Sequence, residues 1–132
     1  MPEPTLTLDQ ERARHAAEML GTDVSKALAN LAASLPGLIV ANGLAMTAAY
    51  LDEKKEHKML GDLSDWLLGD RTAHLGLMKK PSLEKPSLEK PSLVESLIHS
   101  DSRAVRAATA EALEYLSWYK RLAKARQKDG GK

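Results

Sequence analysis

The sequence predicts an all-α protein: a compact bundle of about five to six helices around a buried central helix, with a long terminal helix and a Pro-rich loop. Three observations carry that reading. Leucine and alanine dominate the apolar residues, phenylalanine is absent and aromatic residues are 4% of the chain, a balance that favours helix over sheet. Apolar residues recur at helical spacing between capping residues along most of the chain. The run from Ala27 to Leu51 carries no charge, although charged residues are 28% of the whole, and a helix apolar on all sides must be buried on all sides.

At 132 residues the chain is one domain, residues 1–132, long enough to bury a core. Thr7-Leu8-Asp9-Gln10 has the capping-box pattern, so a first helix runs from Leu8 to about Leu20. Ala13, Ala16, Ala17 and Leu20 form its inner stripe and Gly21 stops it. Thr22 or Asp23 opens a second helix through Leu28, Leu31 and Ala32 to a break at Leu35-Pro36. Pro36-Gly37, with Ser34 as cap, starts the central helix, which continues to about Lys54. Gly43 and the alanines let neighbouring backbones approach closely. About 20 apolar residues are enough to span a membrane. Asn30, Ser34, Pro36, Gly37, Asn42, Gly43 and Thr47, with so much alanine, argue instead for burial within protein.

After the charged stretch DEKKEHK, Met59, Leu63, Trp66 and Leu67 make a fourth helix ending near Gly69. Trp66 is its core or interface anchor, and Asp62 and Asp65 read as its solvated side. The chain then repeats itself as KPSLE KPSLE KPSLV, with Pro81, Pro86 and Pro91 in register. Proline every fifth residue breaks a helix, so residues 79–90 read as an extended or turning loop, with a reach of roughly 35 Å at about 3.1 Å per residue. Pro91 starts a short helix through Leu93, Leu97 and Ile98. Ser100 or Ser102 caps the last and longest helix, from about Arg103 to Gln127, whose stripe is Val105, Ala108, Ala112, Leu116, Tyr119 and Ala123. Tyr115 and Trp118, off that stripe, read as a second core face, the alternative being stacking platforms or subunit contacts. Residues 128–132, KDGGK, fray.

The net charge of +1 hides an asymmetry. Residues 103–132 hold eight Lys/Arg against three Asp/Glu, a net of +5, while residues 1–102 hold eleven against fifteen, a net of −4. A basic end on a near-neutral chain points to an anionic partner, although cations at a helix C-terminus are also favoured by the helix dipole. Glu111 and Glu114 interrupt the basic surface of the last helix. A DNA-reading helix-turn-helix is excluded, because the helix after the Pro36 turn would offer Gly37, Leu38, Ile39 and Val40 to the bases.

No catalytic pattern emerges. His15, His57, His74 and His99 are scattered without metal-ligand spacing, and there is no P-loop, GxGxxG or Gly-x-Ser-x-Gly element. Without cysteine there is no thiol nucleophile, thiolate metal site or disulfide, which fits a reducing cytoplasm. The N-terminus, with acids and no apolar core, does not read as an export signal. The chain reads as a binding module and not an enzyme.

Two stretches together resemble one family. LPGLIVANGLAMTAAYLDEK, residues 35–54, is similar to its Pro-centred turn followed by a Ser/Ala-Asn-Gly-Leu helix. RAATAEALEYLSWYKRLAKA, residues 106–125, is similar to its Arg-x-x-Thr-x-Glu-Ala-Leu-x-Tyr-Leu-x-Trp-x-Lys-Arg helix. TLDQERARHA, residues 7–16, fits its opening helix. The family is the small helical subunit of the type III-B CRISPR effector, the Cmr complex, and the resemblance covers most of the chain apart from the 79–90 repeat. It implies a non-catalytic, all-helical protein, stacked in several copies beside RAMP-fold backbone subunits that cleave the target. Together these would line the channel for guide RNA and paired target single-stranded RNA. No cofactor, metal, membrane or small-molecule substrate is implied. In that role Arg103, Arg106, Lys120, Arg121 and Lys124 face RNA phosphates, with Arg14, Lys26 and Lys54 as weaker candidates or subunit contacts. Asn42 and Gly43 match the family's Asn-Gly and read as structural, a buried amide with a partner beside a close-packing glycine. Two other readings are a helical protein–protein adaptor acting through the KPSLE loop, and a nonspecific single-strand binder acting alone. The latter is disfavoured by near-zero net charge and few aromatics.

Overall fold

The computed structural model describes residues 5–77 and 92–128; the KPSLE repeat and residues 129–132 lie outside the described residues. Within them the chain forms α1 (Leu8–Leu20), α2 (Lys26–Asn42), α3 (Leu44–Glu53), α4 (His57–Leu67), a 3-10 helix (Asp70–Leu75), α5 (Leu93–His99) and α6 (Ser102–Ala125), with no strand. No helix among the described residues is long and apolar enough to cross a membrane.

The expected bundle is present. Its organising element, however, is α6, which packs against α1, α2, α3 and α4. The buried face of α6 carries Ala104, Ala108, Ala112 and Ala123, small enough for close helix approach, between the larger Tyr115, Leu116 and Tyr119. Its cap is Asp101, whose carboxylate accepts from the Ala104 N–H at 2.8 Å, and neither Ser100 nor Ser102 takes that place. Carboxylate at a helix N-terminus satisfies an orphan N–H and suits the dipole.

α1 follows its sequence signals. The Thr7 hydroxyl accepts from the Gln10 N–H at 3.0 Å and the Gln10 side chain accepts from the Thr7 N–H at 2.8 Å, closing the capping box. Gly21 ends the helix with φ 69°. The last turn of α1 has no cation of its own, but two arrive from elsewhere. Arg126 donates to the Ala17 and Gly21 carbonyls, each at 2.9 Å, and Lys58 donates to the Met19 carbonyl. A parallel bridge between Val24 and Gln127, with Lys128 N–H donating to the Val24 carbonyl at 2.8 Å, ties the end of α6 to the α1–α2 turn.

The uncharged run departs from expectation in three ways. First, α2 begins at Lys26, capped by Ser25, and runs through Pro36 to Asn42. Ala29, Ala32, Leu35 and Ile39 are buried along one face on both sides of the proline, and that shared burial outweighs the missing backbone hydrogen bond. Ser34 caps nothing; its hydroxyl donates back to the Leu31 carbonyl at 2.7 Å. Second, the break lies at Gly43, with φ 90° and ψ 158°, a region open only to glycine. A Cβ there would meet nothing within 4 Å, so Gly43 supplies a turn and not close packing, and Asn42 beside it is exposed. Third, the run is not buried on all sides: Val40 is 76% exposed, Met46 64% and Tyr50 42%. Gly43→Ala is expected to lower stability by about 1–3 kcal/mol through backbone strain. Gly37→Ala, inside α2 with open space around it, is expected to raise stability by about 0.5–1 kcal/mol. Urea midpoints of the two variants, moving in opposite directions, check the placement of the break.

Candidate nucleic-acid interface

A polar cluster seated in the core fixes how α6 is turned. Glu111, 5% exposed, accepts from Arg12 of α1 through Nε at 2.6 Å and a terminal nitrogen at 2.8 Å, and from the Trp66 indole of α4 at 2.9 Å. These hydrogen bonds hold the Arg12 guanidinium still more firmly protonated than usual, against the opposing effect of burial. Asp62, also buried, accepts from the Tyr119 hydroxyl at 2.7 Å and pairs with Lys58 at 3.1 Å. His15 bridges the Tyr115 hydroxyl at 2.7 Å and Asp65 at 2.8 Å. Trp66 stacks on Tyr115 with 5.5 Å between ring centroids and 10° between planes, and Tyr119 adjoins Tyr115 at 5.8 Å. Burial, with Asp62 close by, pushes both phenols well above their ordinary value.

The consequence for the outside of α6 is electrostatic. Glu111 does not interrupt the basic surface, because it points inward; nor is Asp62 on a solvated side of α4. Spacing carries a signal for both. Glu111 sits three residues after buried Ala108 and four before buried Tyr115, and Asp62 lies between buried Met59 and Trp66 at the same intervals. A carboxylate on an apolar stripe needs a donor in the core.

Arg103, Arg106, Arg121 and Lys124 are exposed on the face of α6 turned away from this cluster, and Lys120 is half-buried at its border. Among the described residues none of the five is paired with a carboxylate. Glu114 is the exposed acid on that face. Trp118 is half-buried, its indole donating to Asp9 at 2.9 Å, which commits its polar edge to α1. The weaker candidates are dispersed. Arg14 pairs with Glu18 at 3.5 Å, Lys26 opens α2, and Lys54 lies 6.0 Å from the Tyr50 ring.

Three other features bear on chemistry. A cleft of about 370 Å³ between α1 and α4 includes Arg14, His15, Asp65 and Arg71, but its cations are already engaged: Arg71 with Glu11 at 2.9 Å, Arg14 with Glu18. A groove of about 530 Å³ along α2 and α3 is lined by Leu38, Met46, Ala49 and Tyr50, with Asn42, Thr47 and Glu53 also on its walls, a largely apolar surface. Among the described residues no three His, Asp or Glu side chains converge as a metal site.

A family model described as CRISPR-associated protein (Cas_Cmr5) matches residues 8–126, from the first residue of α1 to just past the last of α6. No curated protein and no solved structure gives a match.

Proposed function

Because the chain belongs to the Cas_Cmr5 family of CRISPR-associated proteins, and is thereby a subunit of a type III Cmr complex, we propose that it is the non-catalytic small subunit of a cytoplasmic type III-B effector. In this reading it stacks in copies beside RAMP-fold backbone subunits and touches the phosphates of guide and target RNA through Arg103, Arg106, Lys120, Arg121 and Lys124. The observation that carries the RNA contact is the outer face of α6, where exposed cations stand without carboxylate partners while Glu111 and Asp62 are turned inward. Long basic side chains on a rigid helix follow a phosphate backbone without reading bases, as a subunit serving any guide sequence requires. The exposed Met46 and Tyr50 along the α2–α3 groove supply apolar surface of the kind a subunit buries against a neighbour in an assembly.

Capture of the tagged chain from its native host tests the assembly: RAMP-fold proteins and short RNAs sharing a repeat-derived 5′ tag are expected in the eluate. Replacing the five cations by alanine is expected to weaken RNA binding and to flatten its salt dependence. The slope of log K against log salt should fall by about 0.7–0.9 for each phosphate that the variant no longer neutralises. Helical circular dichroism should stay unchanged, since none of the five is in the core. A folded five-fold variant that binds RNA with the native affinity and salt slope overturns the placement.

A further inference from the structure

The spacing of these cations carries more than their number. Arg103 and Arg121 are 18 residues apart, as are Arg106 and Lys124, all within the unbroken α6. Eighteen residues make about five turns, so each pair falls on one line along the helix, about 27 Å apart. Between them the outer face shows Ala110, Glu114 and Ser117, all exposed, and no cation. The half-buried Lys120 belongs to the C-terminal group. The basic face is therefore two separate points on one rigid rod, with an acid between them.

We infer that the outer face of α6 grips an RNA-containing duplex at two points five helical turns apart, and does not track a single strand continuously; the inference rests on the RNA-contact reading above. A flexible single strand reaching both points must order its intervening nucleotides with no cation to repay the cost, and past Glu114. A duplex is already stiff, and linked sites gain most when the spacer matches the span. Occupancy of one point then raises the local concentration of phosphate at the other.

The test crosses two paired variants of the full chain with two duplex lengths at roughly 50 mM salt, where phosphate contacts are strong. Arg103→Ala with Arg106→Ala removes one point; Arg121→Ala with Lys124→Ala removes the other. A duplex of about 6 base pairs is roughly 20 Å long even at 3.4 Å per pair and cannot reach both, whereas one of about 16 pairs can. Removing either point is expected to weaken the long duplex about tenfold or more, and the short one less than about threefold, because only the long one gains from linkage. Equal weakening on both lengths, or the same pattern with a single strand of matching length, overturns the two-point grip while leaving RNA binding by this face in place. Native protein that binds none of these RNAs overturns both readings.

Discussion

Replacing Glu111 by alanine is expected to destabilise the fold by about 2–4 kcal/mol, because it takes the bidentate carboxylate from the largely buried Arg12 guanidinium and leaves it only the exposed Asp9, at 3.2 Å. The Arg12 side chain is 14% exposed, so water cannot replace the carboxylate fully. The Trp66 indole N–H loses its acceptor at the same stroke, which alone costs about 1–3 kcal/mol. Glu111→Gln keeps the shape and an acceptor for one donor but not the charge, and should fall between alanine and the native chain. Arg12→Met combined with Glu111→Leu removes both charges together. It should recover the part of the loss that comes from the unpaired charge, since a buried ion pair replaced by apolar residues is often near neutral, but not the part from the Trp66 N–H, which still lacks its acceptor. Urea unfolding followed by helical circular dichroism measures all three. A Glu111→Ala variant within about 1 kcal/mol of native would mean that the α1–α4–α6 junction does not depend on this carboxylate.

That junction also shows what is legible in a sequence. Local signals locate α1 through its capping box, α4 through Met59, Leu63, Trp66 and Leu67, and α6 through a stripe of which all but Val105 is fully buried. These depend on residues three or four apart, where helical geometry alone decides. Pro36 misleads for the opposite reason. Its local preference to break a helix is outweighed by burial of Leu35 and Ile39 on either side, a tertiary effect that no short window contains. The partners of Glu111 and Asp62 come from other helices: Arg12 lies 99 residues from Glu111, and Tyr119 lies 57 from Asp62. The cations of the candidate interface are legible one by one. Their lack of carboxylate partners is not, because it depends on Glu111 turning inward to Arg12 and on the exposed Glu114 pairing with none of them. Composition misleads in a related way: a net charge of +1 describes the whole chain, while the fold turns Glu111 of α6 inward and leaves that helix's outer face with Glu114 as its one acid among the cations.

The fold is expected to lose stability steeply in alkali, beginning near pH 10 and at up to about 2.7 kcal/mol per pH unit. The Tyr115 and Tyr119 phenols are raised by burial above their ordinary value, with Asp62 adding to both. An unfolded tyrosine ionises at about pH 10, whereas the folded state keeps both protons above that pH. With more protons on the folded state, stability falls as pH rises, at about 1.4 kcal/mol per unit for each tyrosine. The contribution is whole below about pH 10 and is lost progressively as pH climbs toward the folded values. Neither phenolate is tolerable in place: the Tyr119 oxygen would face Asp62, to which its hydroxyl now donates, and the Tyr115 ring is stacked under Trp66 away from water. Tyr115→Phe with Tyr119→Phe gives up two hydrogen bonds and should start about 1–3 kcal/mol lower at neutral pH. Its stability should then fall much less steeply above about pH 10, because phenylalanine has no proton to lose. Unfolding free energies at about pH 8, 10 and 11 compare the slopes directly, and ionisation of lysines enters both proteins alike. Parallel slopes in the two would place the alkaline sensitivity elsewhere and remove Tyr115 and Tyr119 as its source.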